Sequence, residues 1–409
     1  MTDKLQNHLD VIDDLRIDTS SDTVDLNTQG LRAINFVIKD LMGKHFWRFT
    51  EKEYTLNYYR GIREYVLPSN YLEMIGLYEQ MNFLDPFTRV SPIEFERAMN
   101  QSSVENIIAD DFTGRTSVLK VNFYNSKSEI KVISANNSFD GNGTYIASGT
   151  ASNVQTDTKV YFTNSGSVKF IVAGSGTATL TNSNIATVDL SSFNKKYLLK
   201  IPIYIQNASL LTSINLKFGN DALNYHLFSA TTQFNGKEFV DGLNTIGVEL
   251  NTSADVGTII DTTFDFLELN LVHTGSLGTV YLAQFEAITP DPLKFVHYSS
   301  DMAYDNSALT WYNTFQNTDD AVSDYGAWSG KYDWFSNLVE TGATAMVLDE
   351  MQEYERSKMY WVKYNGGEAQ GFAGGLLGQA IKQLPSRIKK KSPPSIILDG
   401  NSYSSRFDE

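Results

Sequence analysis

The stretch Ile201–Asp221, IPIYIQNASLLTSINLKFGND, decides the fold of the middle of the chain. Within it, Ile214, Leu216 and Phe218 alternate with Asn215 and Lys217. A period of two places the apolar residues on one face, as in an antiparallel strand with one side buried. Runs of the same kind surround it: VKFIV (168–172), YLLKIPIYI (197–205), TIGVEL (245–250), FDFLELNL (264–271) and TVYLAQF (279–285). In FDFLELNL the alternation changes phase between Phe266 and Leu267, which predicts a bulge. Residues 135–290 thus read as about eight to ten short strands split by Gly, Asn and Ser turns, a β-sandwich or jelly roll.

On either side the pattern is mixed, so the fold class is α+β. Leu31, Ile34, Ile38, Leu41 and Met42 recur at helical spacing and predict a helix from about Asn27 to His45, with Asn27 or Thr28 as N-cap. Residues 1–20 read as a looser helix or an arm. YTLNYY and REYVLP predict a hairpin turned at Arg60–Gly61, and Tyr71–Tyr78 a further strand. Ser91-Pro92-Ile93-Glu94 carries two helix-start signals, a capping box and proline at the first helical position. Residues 118–133 predict a hairpin around Asn125–Ser128, against which LKFVHY (293–298) can pair. That pairing makes the all-β block an insertion into one discontinuous domain. The domains expected are 1–134, the first part with an amino-terminal arm; 135–290, the inserted sandwich; and 291–409, the second part with helices and a basic tail. In the last part a long helix is expected from about Asn337. Asn337 and Glu340 would form a capping box, and Val347, Met351, Tyr354, Lys358 and Trp361 one stripe. Gly366–Leu384 is a Gly/Ala-rich amphipathic segment.

Length and composition limit the function. The 409 residues suffice for two or three domains, and 42% hydrophobic content supplies a core. Acids exceed bases by 48 − 33 = 15, which argues against broad nucleic-acid or membrane-surface binding. With no cysteine there is no disulfide, thiolate nucleophile or cysteine-held metal. The polar start MTDKLQNHLDVIDD lacks the pattern of a secretory signal, and no apolar run is long enough for a membrane helix. The expected product is made in a cytosol and stays there or leaves within an assembly.

No catalytic constellation stands out. His8, His45, His226, His273 and His297 form no HExxH pair and read as surface or satisfied core residues. VAGSGT (172–177) lacks nucleophile-elbow spacing and reads as a strand-end turn. FDGNG (139–143) has Asp140 and Asn142 but lacks the acidic ladder of a calcium loop, and reads as a turn, with a structural cation at the edge of the β-domain as the lesser alternative. Glu249, Asp265 and Glu268 are the carboxylates a glycosidase reading would use. The expectation is no enzyme, no cofactor and no metal site. Sugar binding by the sandwich would use an aromatic platform. Trp47, Trp311, Trp328, Trp334 and Trp361 all lie outside 135–290, leaving Tyr145, Tyr161, Tyr225 and Tyr281, of which Tyr145 and Tyr225 are the weak candidates. The alternative for these tyrosines is a core rim with hydroxyls at the surface. Lys389-Lys390-Lys391, after Lys382 and Arg387, is the one local positive cluster. It suits a solvated tail, or a binding element for an acidic partner or passing nucleic acid, equally.

The order LRAINFVIKDLMGK, HFWRFT, YVLPSNYLEMIGLY and SPIEFERAM resembles that of head-to-tail connector (adaptor or ring) proteins of tailed bacteriophages, of podovirus or crAss-like type. KFVHYSSDMAYDNSALTWYNTFQNTDDAV and the helix after it are similar to their closing half. The resemblance covers roughly residues 25–134 and 291–365. It implies a virion neck protein. Twelve copies (a dodecamer) would form a ring on the portal protein, joined to a downstream tail or ring protein. DNA would pass through the channel without sequence-specific binding, past an acidic wall, and no membrane would be involved. Trp47, Trp361 and Lys389, Lys390 and Lys391 are then candidate assembly contacts. The insert, through VDLSSF (188–193), Ile201–Asp221, GLNTIGVEL (242–250) and VYLAQFEAI, resembles carbohydrate-binding-module jelly rolls. That implies a glycan-binding or decoration protein of the phage tail or capsid as the alternative function.

Overall fold

The structure is a computed structural model. It describes residues 23–79, 87–101, 105–112, 117–134, 145–157, 159, 166–183, 185, 187–194, 196–250, 254–316, 326–327, 332, 334–350, 354–366 and 375–384. The segment 139–143, Tyr161, Trp328 and the run Lys389–Lys391 lie outside the described residues. The chain is α+β and divides into two compact units. One is drawn from 1–53, 69–75 and 296–409, the other from 54–68 and 76–295. Residues 76–134 therefore group with the β-rich segment, whereas the sequence reading groups them with 291–409.

The first unit is helical. Helix α1 (Thr23–Lys44) buries Ile34, Val37, Ile38 and Leu41, with Leu31 and Met42 at the rim, so the periodic residues form its core face. It starts before Asn27, which removes Asn27 and Thr28 as N-caps. No proline interrupts the stretch from Thr23 onward, and cap preference alone, about 1 kcal/mol, does not stop a helix. Helix α3 (Phe335–Glu350) is buried on nearly every side, as a central helix must be. A Cβ at Gly342 would stand 3.0 Å from both Val37 and Tyr364, so the missing side chain lets α1 and helix α4 (Tyr354–Asn365) close on α3.

The long helix expected from Asn337 is two helices. It begins at Phe335, leaving Asn337 inside the first turn, where its carbonyl accepts from the Thr341 hydroxyl. Helix α4 packs back on α3: the Ser357 hydroxyl donates to the Ala345 carbonyl at 2.9 Å. The expected stripe is therefore broken. Val347 is buried, Tyr354 and Lys358 are exposed, and Met351 lies outside the described residues. Helix α5 (Leu376–Gln383) adds Leu377 and Ala380 to the same core.

The second unit holds a small sheet and a sandwich. The small sheet runs Glu64–Val66, Val118–Asn122, Ile107–Asp111, Thr88–Arg89. Helix α2 (Pro92–Asn100) packs Phe95 and Met99 on Ile107 and Ala109. Its capping box forms as the sequence predicts: Ser91 N donates to Glu94 Oε2 at 2.9 Å, and Glu94 N to Ser91 Oγ at 3.3 Å. Neither predicted hairpin exists. Val118–Asn122 pairs with Glu64–Val66 and Ile107–Asp111, while Ile130–Ser134 crosses into the sandwich and pairs with Phe285–Ile288. Glu51–Tyr58 and Tyr71–Glu79 flank Asp291–Ser299 in a three-stranded sheet, so 293–298 does not pair with 118–133. Alternation specifies a buried face but not the neighbour that covers it.

The sandwich has two antiparallel sheets. The first runs Ile130–Ser134, Phe285–Ile288, Leu198–Ile205, Gly278–Leu282, Ser167–Val172, Ala151–Asp157, with Gly242–Glu249 also pairing Leu198–Ile205. The second runs Ala254–Val256, Asn224–Ala230, Leu211–Asp221, Phe266–His273, Gly176–Asn182, Ile146–Gly149. Phe170, Ile201, Ile203 and Leu282 of the first meet Leu216, Phe218, Leu269 and Leu271 of the second in one core. The bulge expected at Phe266–Leu267 is absent. The register with Gly219 and Phe218 is continuous there, and Phe266 is buried on the outer face, opposite a glycine.

Candidate functional site

The site is a row of side chains on the outer face of the first sheet. Leu199, Ile201, Ile203 and Ile205 point into the core, which turns Tyr204 outward. Val280 and Leu282 do the same for Tyr281, and Val168 and Phe170 for Lys169. Residues directly opposite in a ladder share a face. Leu243 opposes Tyr204, Tyr204 opposes Tyr281, Tyr281 opposes Lys169 and Lys169 opposes Gln155. Five strands therefore place Leu243, Tyr204, Tyr281, Lys169 and Gln155 in one line, about 19 Å long at about 4.8 Å per strand.

The Tyr204 and Tyr281 rings meet edge to face, centroids 5.7 Å apart. Lys169 Nζ lies 5.7 Å from the Tyr281 centroid and 4.0 Å from Asp157 Oδ2. Leu243 and Gln155 at the two ends are exposed, and the two tyrosines are half-buried. Further along the same face the sheet is covered. The Phe234 ring sits where a Cβ on Gly247 would stand, within 2.5 Å, and packs against Tyr59 and Tyr65. Tyr59 donates its hydroxyl to Glu249 Oε1 at 2.8 Å, and burial drives its ionisation far above the ordinary tyrosine range. The open end of the sheet is thus the tyrosine end. Aromatic edges and faces flanked by an amine, an amide and a carboxylate can stack on apolar C–H faces and hydrogen-bond to hydroxyls.

The outer face of the second sheet is different. Lys217 Nζ bonds Glu268 Oε1 at 2.9 Å and lies 5.1 Å above the Tyr225 ring. Thr179 donates to Asn270 at 2.6 Å, and Ser229 to Asn215 at 2.7 Å. Burial raises the Glu268 carboxyl, but hydrogen bonds from Asn270 and Lys217 outweigh it and hold the group below its ordinary range. Glu249 and Glu268 stand on opposite outer faces of the sandwich, so they make no facing pair. Asp265 is pushed up by burial and then by Asp221.

Of the sequence candidates, Tyr145 is buried in the sandwich core and offers no platform. It leads into the strand Ile146–Gly149, and its ring fills the space between the sheets. Tyr225 is half-buried beneath Lys217, on the sheet opposite the tyrosine row. Tyr281, named in the sequence only among the possibilities, is in the row. Tyr204 was missed, although the inward Ile201, Ile203 and Ile205 already turn it outward. Trp47 is 1% exposed, donates Nε1 to the Leu41 carbonyl at 3.0 Å, and is a core residue rather than a surface contact. Trp361 is half-buried and donates to Asp349 Oδ2 at 2.8 Å. Among the described residues, His226, His273 and His297 are buried, His226 Nδ1 lying 2.5 Å from Asp255 Oδ1. Burial holds His297 below the ordinary imidazole range. No group of three or more His, Asp or Glu side chains among the described residues is placed to hold a metal. No helix among them is long and apolar enough to cross a membrane.

No family model matches the chain, and no curated protein matches it. Solved structures do. A family 11 carbohydrate-binding module from Clostridium thermocellum, in complex with a beta-1,3-1,4-mixed-linked tetrasaccharide, aligns with 13% identity and a TM-score of 0.28, over 40% of this chain and 95% of that one. A family 30 carbohydrate-binding module of a cellulosomal cellulase of the same organism aligns with 12% identity and a TM-score of 0.29, over 36% and 91%. An exo-beta-agarase aligns with 13% identity and a TM-score of 0.29, over 40% of this chain and 25% of its own.

Proposed function

We propose that the chain is a structural virion protein, a head-to-tail connector whose copies form a ring on the portal, lead to the tail and leave a channel for DNA. The observation that carries the reading is the make-up of the helical unit. Of the segments that resemble connectors, LRAINFVIKDLMGK, HFWRFT and the closing segment meet in this unit, where Trp47 shares one core with Met302, Ala303 and Phe315 and with α3, whereas SPIEFERAM belongs to the second unit. A β-rich block within a unit drawn from both ends of the chain is the arrangement this reading calls for. The test is quantitative mass spectrometry of purified particles, with imaging of the protein mixed with its portal. About twelve copies per particle and rings on the portal are expected from the closed symmetry of such assemblies. A few copies per particle, with no binding to portal, overturns the reading.

A second reading rests on the tyrosine row. The sandwich acts as a non-catalytic glycan-binding module, with Tyr204 and Tyr281 as the stacking surface and Lys169, Gln155 and Asp157 as polar contacts. Titration of the whole chain with neutral oligosaccharides tests it. Binding that is lost in Tyr281→Ala supports it, and no binding across a broad glycan panel removes it.

A further inference from the structure

The helical unit presents a face that the connector reading leaves without a partner. On α4, Ser357 and Tyr364 point into the core, while Glu355, Lys358, Met359, Val362 and Lys363 line the opposite side. Met359 is 72% exposed and Val362 46%. Arg356, Lys358 and Lys363 form no ion pair among the described residues. Helix α4 carries three bases against the single acid Glu355, in a chain of net charge −15. An apolar ridge bordered by bases calls for an acidic, amphipathic partner.

The chain itself supplies such a sequence ahead of α1. Residues 1–22 hold six acids, Asp3, Asp10, Asp13, Asp14, Asp18 and Asp22, against Lys4 and Arg16, a net charge of 2 − 6 = −4. Leu5, Leu9 and Ile12 fall at the i, i+4, i+7 spacing of one helical stripe. Its composition is the complement of the α4 face: leucine and isoleucine for Met359 and Val362, aspartates for the bases.

We infer that the Met359–Val362 face of α4 receives the acidic segment 1–22 of a second copy of this chain. The inference rests on the connector reading for its repetition around a ring, and it names the contact that would link neighbours. An electrostatic component makes the contact weaken with salt.

The test is photo-crosslinking in the full chain. Met359 is replaced by the apolar photoreactive residue p-benzoylphenylalanine, at a position exposed enough to leave folding intact. Equal amounts of unlabelled and nitrogen-15-labelled protein are mixed, irradiated and digested. Expected are crosslinks from position 359 to residues 1–22 in which the two peptides carry different labels. Lys358→Glu with Lys363→Glu should reduce their yield several-fold, as should high salt, with the melting temperature unchanged. Crosslinks to the tail 385–409 or to the sandwich overturn the inference. So do same-label pairs alone, which would place the segment on its own chain, and so does no crosslink at all. The connector reading fails separately, through copy number in particles. A ring that assembles without these crosslinks would sink the inference and leave that reading standing.

Discussion

The indole of Trp47 meets the ring of Phe335 edge to face, with centroids 4.8 Å and planes 74° apart. Phe335 is fully buried, and Phe49 also packs edge-on against it at 4.9 Å. This cluster joins the segment leaving α1 to the start of α3, which is how the two ends of the chain become one unit. Trp47→Ala should therefore destabilise that unit by about 3–5 kcal/mol, the range for deleting a buried aromatic. Urea denaturation followed by tryptophan-independent far-UV dichroism measures it. Trp361→Ala, at a half-buried position, should lose clearly less. Equal losses for the two would contradict the placement of Trp47 at the centre.

Gly342 makes a sharper test of the same packing. A methyl there meets Val37 and Tyr364 at 3.0 Å, closer than side chains tolerate without shifting. Gly342→Ala would gain helix propensity of about 1 kcal/mol on an open helix. Here overpacking of about 1–3 kcal/mol opposes that gain. Gly342→Val should be worse than Gly342→Ala, because branching extends the collision. A Gly342→Val protein that melts at the wild-type temperature would show that α1 and α4 do not close on α3 at this point.

What the sequence shows and what it hides follow from the range of the interactions. Ser91 and Glu94 were legible because a capping box is completed within four residues. The strand around Leu216 was legible because burial imposes a period of two. The partner of Val118–Asn122 was not, since nothing in VLKVN distinguishes Ile107–Asp111 from Ile130–Ser134 as its neighbour. Trp47 reads locally as an aromatic beside Arg48. Its burial depends on α3, far along the chain. Tyr204 was visible in principle, and the tyrosine row follows only when two separate pairings set Tyr204, Tyr281 and Lys169 in line.

Ser91→Ala removes the acceptor for the Glu94 amide and the partner of its carboxylate. The expected loss is about 1 kcal/mol, the usual value for an N-cap. Ser91→Thr should retain most of the stability, since its hydroxyl can also accept from the Glu94 amide and donate to the Glu94 carboxylate. Thermal melts of the two variants side by side decide it. A neutral Ser91→Ala would mean that the cap is idle.

Glu268 gives a pH dependence with a definite sign. Despite burial, its hydrogen bonds with Asn270 and Lys217 hold the folded-state carboxyl below the ordinary range. A depressed folded value means that the contribution is complete above the unfolded value of about 4.3 and is lost as pH falls through the folded one. The melting temperature of Glu268→Gln should lie below wild type at pH 7, and the gap should shrink steadily from about pH 5 downward. Its size should be modest, because the pair is partly solvated and screened. A gap that widens on acidification would reverse the assignment.

The two outer faces of the sandwich predict opposite results for their tyrosines. Tyr225 lies under Lys217, whose amine is already held by Glu268, so the ring has a neighbour on its face. Tyr204 and Tyr281 meet edge to face, Lys169 lies 5.7 Å from the Tyr281 centroid, and the pair borders exposed Leu243 on the open end of the first sheet. Replacing either by alanine should cost less than the roughly 3–5 kcal/mol of deleting a fully buried aromatic, because both rings are half-buried. If the row binds sugar, Tyr281→Ala should weaken an oligosaccharide on the order of tenfold, which corresponds to about 1.4 kcal/mol. Tyr225→Ala should leave that affinity alone. Calorimetric titration of the three proteins with one glycan separates the faces. Binding that follows Tyr225 instead of Tyr281 would move the site to the second sheet, where amide and hydroxyl side chains such as Asn270, Thr179, Asn215 and Ser229 accompany that ring.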